Sequence, residues 1–86
     1  MNISKAEQRV LHVLALGGLI RHEFDDRGRL SDVTCFTRDG LVLADCDMAL
    51  FQRLRRRRLI GSLGGAPYRI TLKGRRAVRA QPDNQG

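Results

Sequence analysis

The capping box Ser4-Lys5-Ala6-Glu7 opens one helix, and Gly17-Gly18 closes it; this bounded segment constrains the chain more than any other. The Ser4 hydroxyl is placed to accept from the Glu7 amide, and the Glu7 side chain to reach back to Ser4. Val10, Leu11, Val13 and Leu14 follow at helical spacing, so a helix is expected over about residues 4 to 17, with His12 at the border of its buried face. No comparable stretch follows. The remainder is cut by turn residues at Asp25-Asp26-Arg27-Gly28, Arg38-Asp39-Gly40 and Gly64-Gly65-Ala66-Pro67, so only short elements fit between them.

Two β-rich runs, LIRHEF and RLSDVTCFT, flank the first of these turns and read as a hairpin. LVLA after Gly40 reads as a third strand, which makes residues 19 to 44 an antiparallel meander. Its expected inward residues are Ile20, Phe24, Val33, Cys35, Leu41 and Leu43. Asp45 and Asp47 are both candidate N-caps for a second helix with Leu50, Phe51 and Leu54 as its buried stripe. LIGSL and YRIT then form a hairpin, and Thr71 caps a last helix from Leu72 to about Ala80, packed through Leu72, Ala77 and Val78. Gly74 is expected to weaken its first turn. The fold class is therefore α+β, a winged-helix-like domain over residues 1 to 80 in the order helix, meander, helix, hairpin (wing), helix. The last residues, 81 to 86, read as a flexible tail. A helix-turn-helix needs a short helix just before its recognition helix, and here a β meander occupies that place.

A chain of 86 residues holds one modest core, burying about 60–65% of its unfolded surface. Its charge is uneven: residues 1 to 47 carry six Lys or Arg and eight Asp or Glu, whereas residues 48 to 86 carry ten Lys or Arg and one acid, Asp83. A basic second half points to a polyanionic partner or an acidic protein surface. FQRLRRRRLI, residues 51 to 60, concentrates this with five arginines. With Leu54 at the centre of the buried face, Gln52, Arg53 and Arg56 are expected on the side away from the core and Arg55 on one flank. Arg57 and Arg58 fall at the helix end, where the macrodipole favours cations. Arg53, Arg55 and Arg56 have no local structural reason, since no Glu precedes them at i−4. With Gln52 they form the expected binding face, joined by Arg69, Arg75, Arg76 and Arg79, and Lys73 shares the exposed side of the last helix.

The polar residues do not compose an active site, and an enzyme is not expected. His12 and His22 lie on different elements, the acids of the turns are explained as turn residues, and SLGGAP precedes a strand rather than a helix, unlike a phosphate-binding loop. No metal ligand set and no cofactor are expected. Cys35 and Cys46 lack zinc-ligand spacing. A disulfide between them is one alternative; free thiols in a reducing, cytoplasmic setting are the expectation, since no secretory signal or membrane-spanning run is visible.

EQRVLHVLALGG, CFTRDGLVLADC, FQRLRRRRLI, PYRIT and AVRAQPDN occur in this order and together cover nearly the whole chain. On these stretches the chain resembles the YjhX family, small bacterial proteins also called topoisomerase I inhibitor toxins. The resemblance implies the toxin of a type II toxin–antitoxin pair that binds DNA topoisomerase I directly and so impairs replication and transcription. It also implies an acetyltransferase-like antitoxin that neutralises by binding, and it carries no catalytic residues. A winged-helix-like nucleic-acid binder of repressor type is the alternative, with DNA as its partner. A homodimer through the meander edge, with Phe36 or Leu41 in its seam, is a third reading.

Overall fold

A computed structural model describes residues 2 to 79. Ala80, the expected end of the last helix, and the tail 81 to 86 lie outside the described residues. The elements run α1 (Lys5–Ala15), β1 (Leu19–Phe24), β2 (Leu30–Phe36), β3 (Val42–Leu43), α2 (Met48–Arg56), β4 (Ile60–Gly61), β5 (Arg69–Ile70) and α3 (Leu72–Arg79).

Both halves of the capping box form at α1: the Glu7 amide donates to Ser4 Oγ at 3.0 Å, and the Ser4 amide donates to Glu7 Oε1 at 2.9 Å. Val10, Leu11 and Leu14 face the core, and His12 is exposed. β1, β2 and β3 form an antiparallel meander, with Ile20 opposite Cys35 and Phe36 opposite Val42. Asp25 holds the first turn by accepting from the Arg27 and Arg29 amides, each at 2.9 Å. β4 and β5 form a separate two-stranded ladder. One antiparallel bridge joins the two sheets edge to edge: the Ile20 amide donates to the Tyr68 carbonyl at 2.9 Å, and the Tyr68 amide returns the bond at 2.8 Å. The core lies between the inner face of these strands and the three helices, around Phe51, Leu11, Ile20, Leu54 and Leu59.

Burial on the inner face of β1 fades along the strand. Ile20 is fully buried, His22 is half-buried, and Phe24 is 60% exposed. The hairpin overhangs the helices at its far end, beyond a register shift at Glu23 and Phe24, so Phe24 is not an inward residue. Leu41 is not one either, at 68% exposure. It closes the turn begun by Thr37, donating its amide to Thr37 Oγ1 at 3.0 Å, and the strand proper begins only at Val42.

Asp47, rather than Asp45, caps α2; its Oδ1 accepts from the Leu50 amide at 2.8 Å. Asp45 pairs with Arg9 of α1 instead. In α3, the Gly74 amide donates to Thr71 Oγ1 at 3.0 Å, which confirms Thr71 as the cap. Leu72 is 64% exposed, because Gly74, Ala77 and Val78 form the buried face and Leu72 sits about 200° from Gly74. Gly74 has a positive role that its low helix propensity conceals. A Cβ there would overlap the Leu59 carbonyl oxygen and come within 2.7 Å of Ile70 Cγ1, so only glycine lets α3 start this close to the end of α2.

Candidate partner-binding surfaces

α2 ends in a Schellman motif built from the arginine run. The Arg58 amide bonds to the Arg55 carbonyl at 3.0 Å, and the Leu59 amide bonds to the Leu54 carbonyl at 3.0 Å. Arg57 is the C-cap, and Arg58 takes the left-handed position at φ 61° that glycine usually occupies. Leu59 and Leu54, both fully buried, supply the apolar contact across the motif. Thr71 locks the end from outside: its hydroxyl donates to the Arg58 carbonyl at 2.8 Å while accepting from Gly74.

Two arginines of the run have an acidic partner on another helix. Glu7 is only 4% exposed, and its two oxygens have separate tasks. Oε1 completes the capping box, while Oε2 lies 3.5 Å from Arg57 Nη1 and 3.8 Å from Arg53 Nε. Arg57 also donates through Nη2 to the Asn2 carbonyl at 2.6 Å. Arg53 therefore has a structural reason after all, supplied from α1 and not from its own helix. Gln52 is half-buried and reaches back to Met48 Sδ at 3.9 Å. Arg55 and Arg56 stay exposed, and their guanidinium groups have no hydrogen bond or ion pair among the described residues.

The remaining predicted arginines do not join this face as one patch. Arg75 donates to the Ala15 carbonyl at 3.4 Å, at the negative end of the α1 dipole. Arg76 and Arg79 are exposed on α3, as is Lys73. Arg69 belongs elsewhere, with Arg21 and Arg38 around an open cleft of about 530 Å³ on the outer face of the sheet. Leu19, Phe36 and Pro67, all half-buried, are its apolar lining. The Ile20–Tyr68 bridge makes this cleft, since antiparallel pairing through it sets Leu19 beside Arg69 and Arg21 beside Pro67. Arg38 enters from the 37–40 turn, its stem lying over Gly17: a Cβ at Gly17 would stand 3.3 Å from Arg38 Cδ, and φ there is 110°. Sequence reasoning missed Arg21 and Arg38. Strand alternation places Arg21 on the face away from Ile20, which is a usable signal, but nothing in the sequence says that β5 pairs with β1.

The thiols of Cys35 and Cys46 are free and buried, and each perturbs the other. The Cys46 contact lowers the Cys35 thiol below its ordinary value, against the opposing effect of burial. Cys46 is pushed up by donating to Cys35, then by burial and by the charges of Cys35 and Asp47. His22 stacks edge-on against Phe24 and Tyr68, at centroid distances of 5.3 and 5.1 Å. Among the described residues no three His, Cys, Asp or Glu side chains gather to hold a metal, and no helix is long and apolar enough to cross a membrane. Leu41 and Val42 are exposed beside and on the short edge strand β3, whereas Phe36 is committed to the cleft.

Known proteins resemble this chain over its full length. A YjhX toxin family model, described as "Putative toxin of bacterial toxin-antitoxin pair", matches residues 1–85. A UPF0386 protein of Beijerinckia indica is 65% identical over 85 residues, spanning 99% of this chain and all of the relative. A UPF0386 protein of Rhodospirillum rubrum is 63% identical over 86 residues, spanning all of this chain and 96% of the relative. Another, from Caulobacter vibrioides, is 56% identical over 85 residues, 99% of this chain and 93% of the relative. No solved structure matches.

Proposed function

This chain belongs to the YjhX toxin family, and on that premise we propose that it is a toxin that inhibits DNA topoisomerase I by binding it, without catalysing a reaction of its own. The choice of target rests on what the resemblance to this family implies, and the family match itself supports the toxin of a toxin–antitoxin pair. The observation that supports a binding mode is the pair Arg55 and Arg56, exposed on a helix pinned at both ends and without acidic partners among the described residues. In the last turn of α2 they gain only the modest favour that the macrodipole gives cations, about 0.3–1 kcal/mol each, and no acidic side chain among the described residues answers them, so an anionic partner is their best explanation. A topoisomerase holds DNA in a basic channel, which a basic inhibitor cannot imitate. The toxin therefore docks on an acidic patch of the enzyme, and its acetyltransferase-like antitoxin neutralises it by binding.

The test is relaxation of negatively supercoiled plasmid by purified topoisomerase I. Wild-type protein is expected to stop relaxation near stoichiometric amounts, and Arg55→Ala/Arg56→Ala to need about tenfold more, the equivalent of ~1.4 kcal/mol of binding. Undiminished relaxation at stoichiometric excess, with no retention of the enzyme in a pull-down, would reject the proposal.

The order α2, β4, β5, α3 supports a second reading as a winged-helix-like nucleic-acid binder. Gln52, Arg53 and Arg56 would then face DNA, with Arg69, Arg75, Arg76 and Arg79 on phosphates. Six such contacts give a log–log salt slope near −5. Because Arg53, Arg69 and Arg75 are engaged or turned elsewhere, Arg56, Arg76 and Arg79 are left, so about three contacts and a slope nearer −3 are expected if DNA binds through the helices. A gel shift without retardation at low salt removes this reading.

A further inference from the structure

We propose that the cleft walled by Arg21, Arg38 and Arg69 is a second docking surface, and that its occupant is an acidic, extended segment of the antitoxin carrying one apolar anchor residue. The proposal rests on the toxin–antitoxin reading for the identity of the partner, and on the cleft alone for the chemistry.

Three exposed guanidinium groups surround the cleft, and none has an acidic partner among the described residues. Planar guanidinium forks match carboxylates with paired hydrogen bonds, so the walls select acidic side chains. The floor selects something else. Leu19, Phe36 and Pro67 keep apolar surface half-open in the same lining, where a leucine or aromatic side chain gains burial that water cannot supply. A space of about 530 Å³ takes a few side chains of a segment and not a folded face. Single-stranded nucleic acid fits less well. Its platforms set several aromatic rings side by side, and Phe36 is the single aromatic residue in this lining.

The cleft is separate from the α2 surface. Ile20 and Cys35 point into the core shared with Phe51 and Leu54 of α2, while Leu19, Arg21 and Phe36 lie on the opposite face of the same strands. Substitutions can therefore read the two surfaces independently.

The experiment measures fluorescence anisotropy of fluorescein-labelled peptides of about ten residues, rich in Asp and Glu around a central Phe, Leu or Ser, with the full chain at low salt. The Phe or Leu peptides are expected to bind at least about tenfold more tightly than the Ser peptide. Arg21→Gln/Arg38→Gln should weaken them about tenfold or more, and Arg55→Ala/Arg56→Ala should leave them unchanged. Glutamine at 38 keeps much of the stem over Gly17, and thermal melting checks that each variant folds. The proposal is overturned if no peptide binds with a Kd under about 1 mM, if the Ser peptide binds equally well, if the loss follows the α2 pair, or if an oligothymidylate strand displaces the anchored peptides at lower concentration than they displace one another. Growth after induced expression is read in parallel. Anchored binding without growth arrest upholds the chemistry of the cleft but rejects the toxin reading and with it the antitoxin as occupant, whereas arrest without anchored binding rejects the cleft alone.

Discussion

Arg53 to Arg58 hold five arginines adjacent in the chain yet divided among different tasks, whereas Arg21, Arg38 and Arg69 are distant in the chain and share one cleft. The difference comes from the two kinds of secondary structure. A helix turns successive side chains by about 100°, so a contiguous run is spread around the axis and meets several environments. Here those are Glu7 for Arg53 and Arg57, the Schellman turn for Arg58, and solvent for Arg55 and Arg56. A sheet does the reverse, gathering residues from remote strands onto one face. Charge density along a sequence is thus a poor guide to charge density on a surface.

The sharpest way to break this comparison is to remove the acid that divides the run. Glu7→Gln keeps a side chain able to complete the capping box but leaves Arg53 and Arg57 without their anion. Both arginines are partly exposed, so solvent screening limits the effect, and a loss of about 1–2 kcal/mol in urea unfolding is expected. An unchanged midpoint would mean that Glu7 serves the cap alone. A smaller contrast separates members of the run. Arg57→Ala removes contacts to Glu7 and the Asn2 carbonyl and should cost about 1 kcal/mol, whereas Arg56→Ala should stay within about 0.5 kcal/mol of wild type. Equal losses would erase the distinction between structural and free arginines. The smallest expected effect has the opposite sign. Arg58→Gly relieves a left-handed residue at the helix end and should change stability by between about 0 and +1 kcal/mol, seen as an unchanged or raised Tm. A lowered Tm would show that the Arg58 side chain holds a contact of its own.

Much of the fold was legible because it is written in local signals. The capping box, the Leu50–Phe51–Leu54 stripe, the Thr71 cap and the turn residues each act over a few positions, and each formed where expected. The errors cluster where an element outruns the core. Phe24 and Leu41 fit the strand alternation and are still exposed, because alternation says which way a side chain points and not whether anything lies beyond it. Leu72 failed for a related reason: the face that α3 buries is set by the close approach of Gly74 to Leu59, which an apolar residue nearby cannot reveal.

The candidate surfaces divide along the same line. Sequence alone determined that the second half is basic, that Arg55 and Arg56 lie off the buried stripe of their helix, and that Arg57 and Arg58 stand at its end. Only the tertiary structure decided that Arg53 answers to Glu7, that Arg75 turns to the end of α1, and that Arg69 leaves the helical arginines for Arg21 and Arg38. Helical phase and capping are interactions between near neighbours, so the sequence contains both partners side by side. An ion pair between residues 7 and 53, or a bridge between residues 20 and 68, exists only after the chain has closed a long loop, and nothing local to either partner specifies the other.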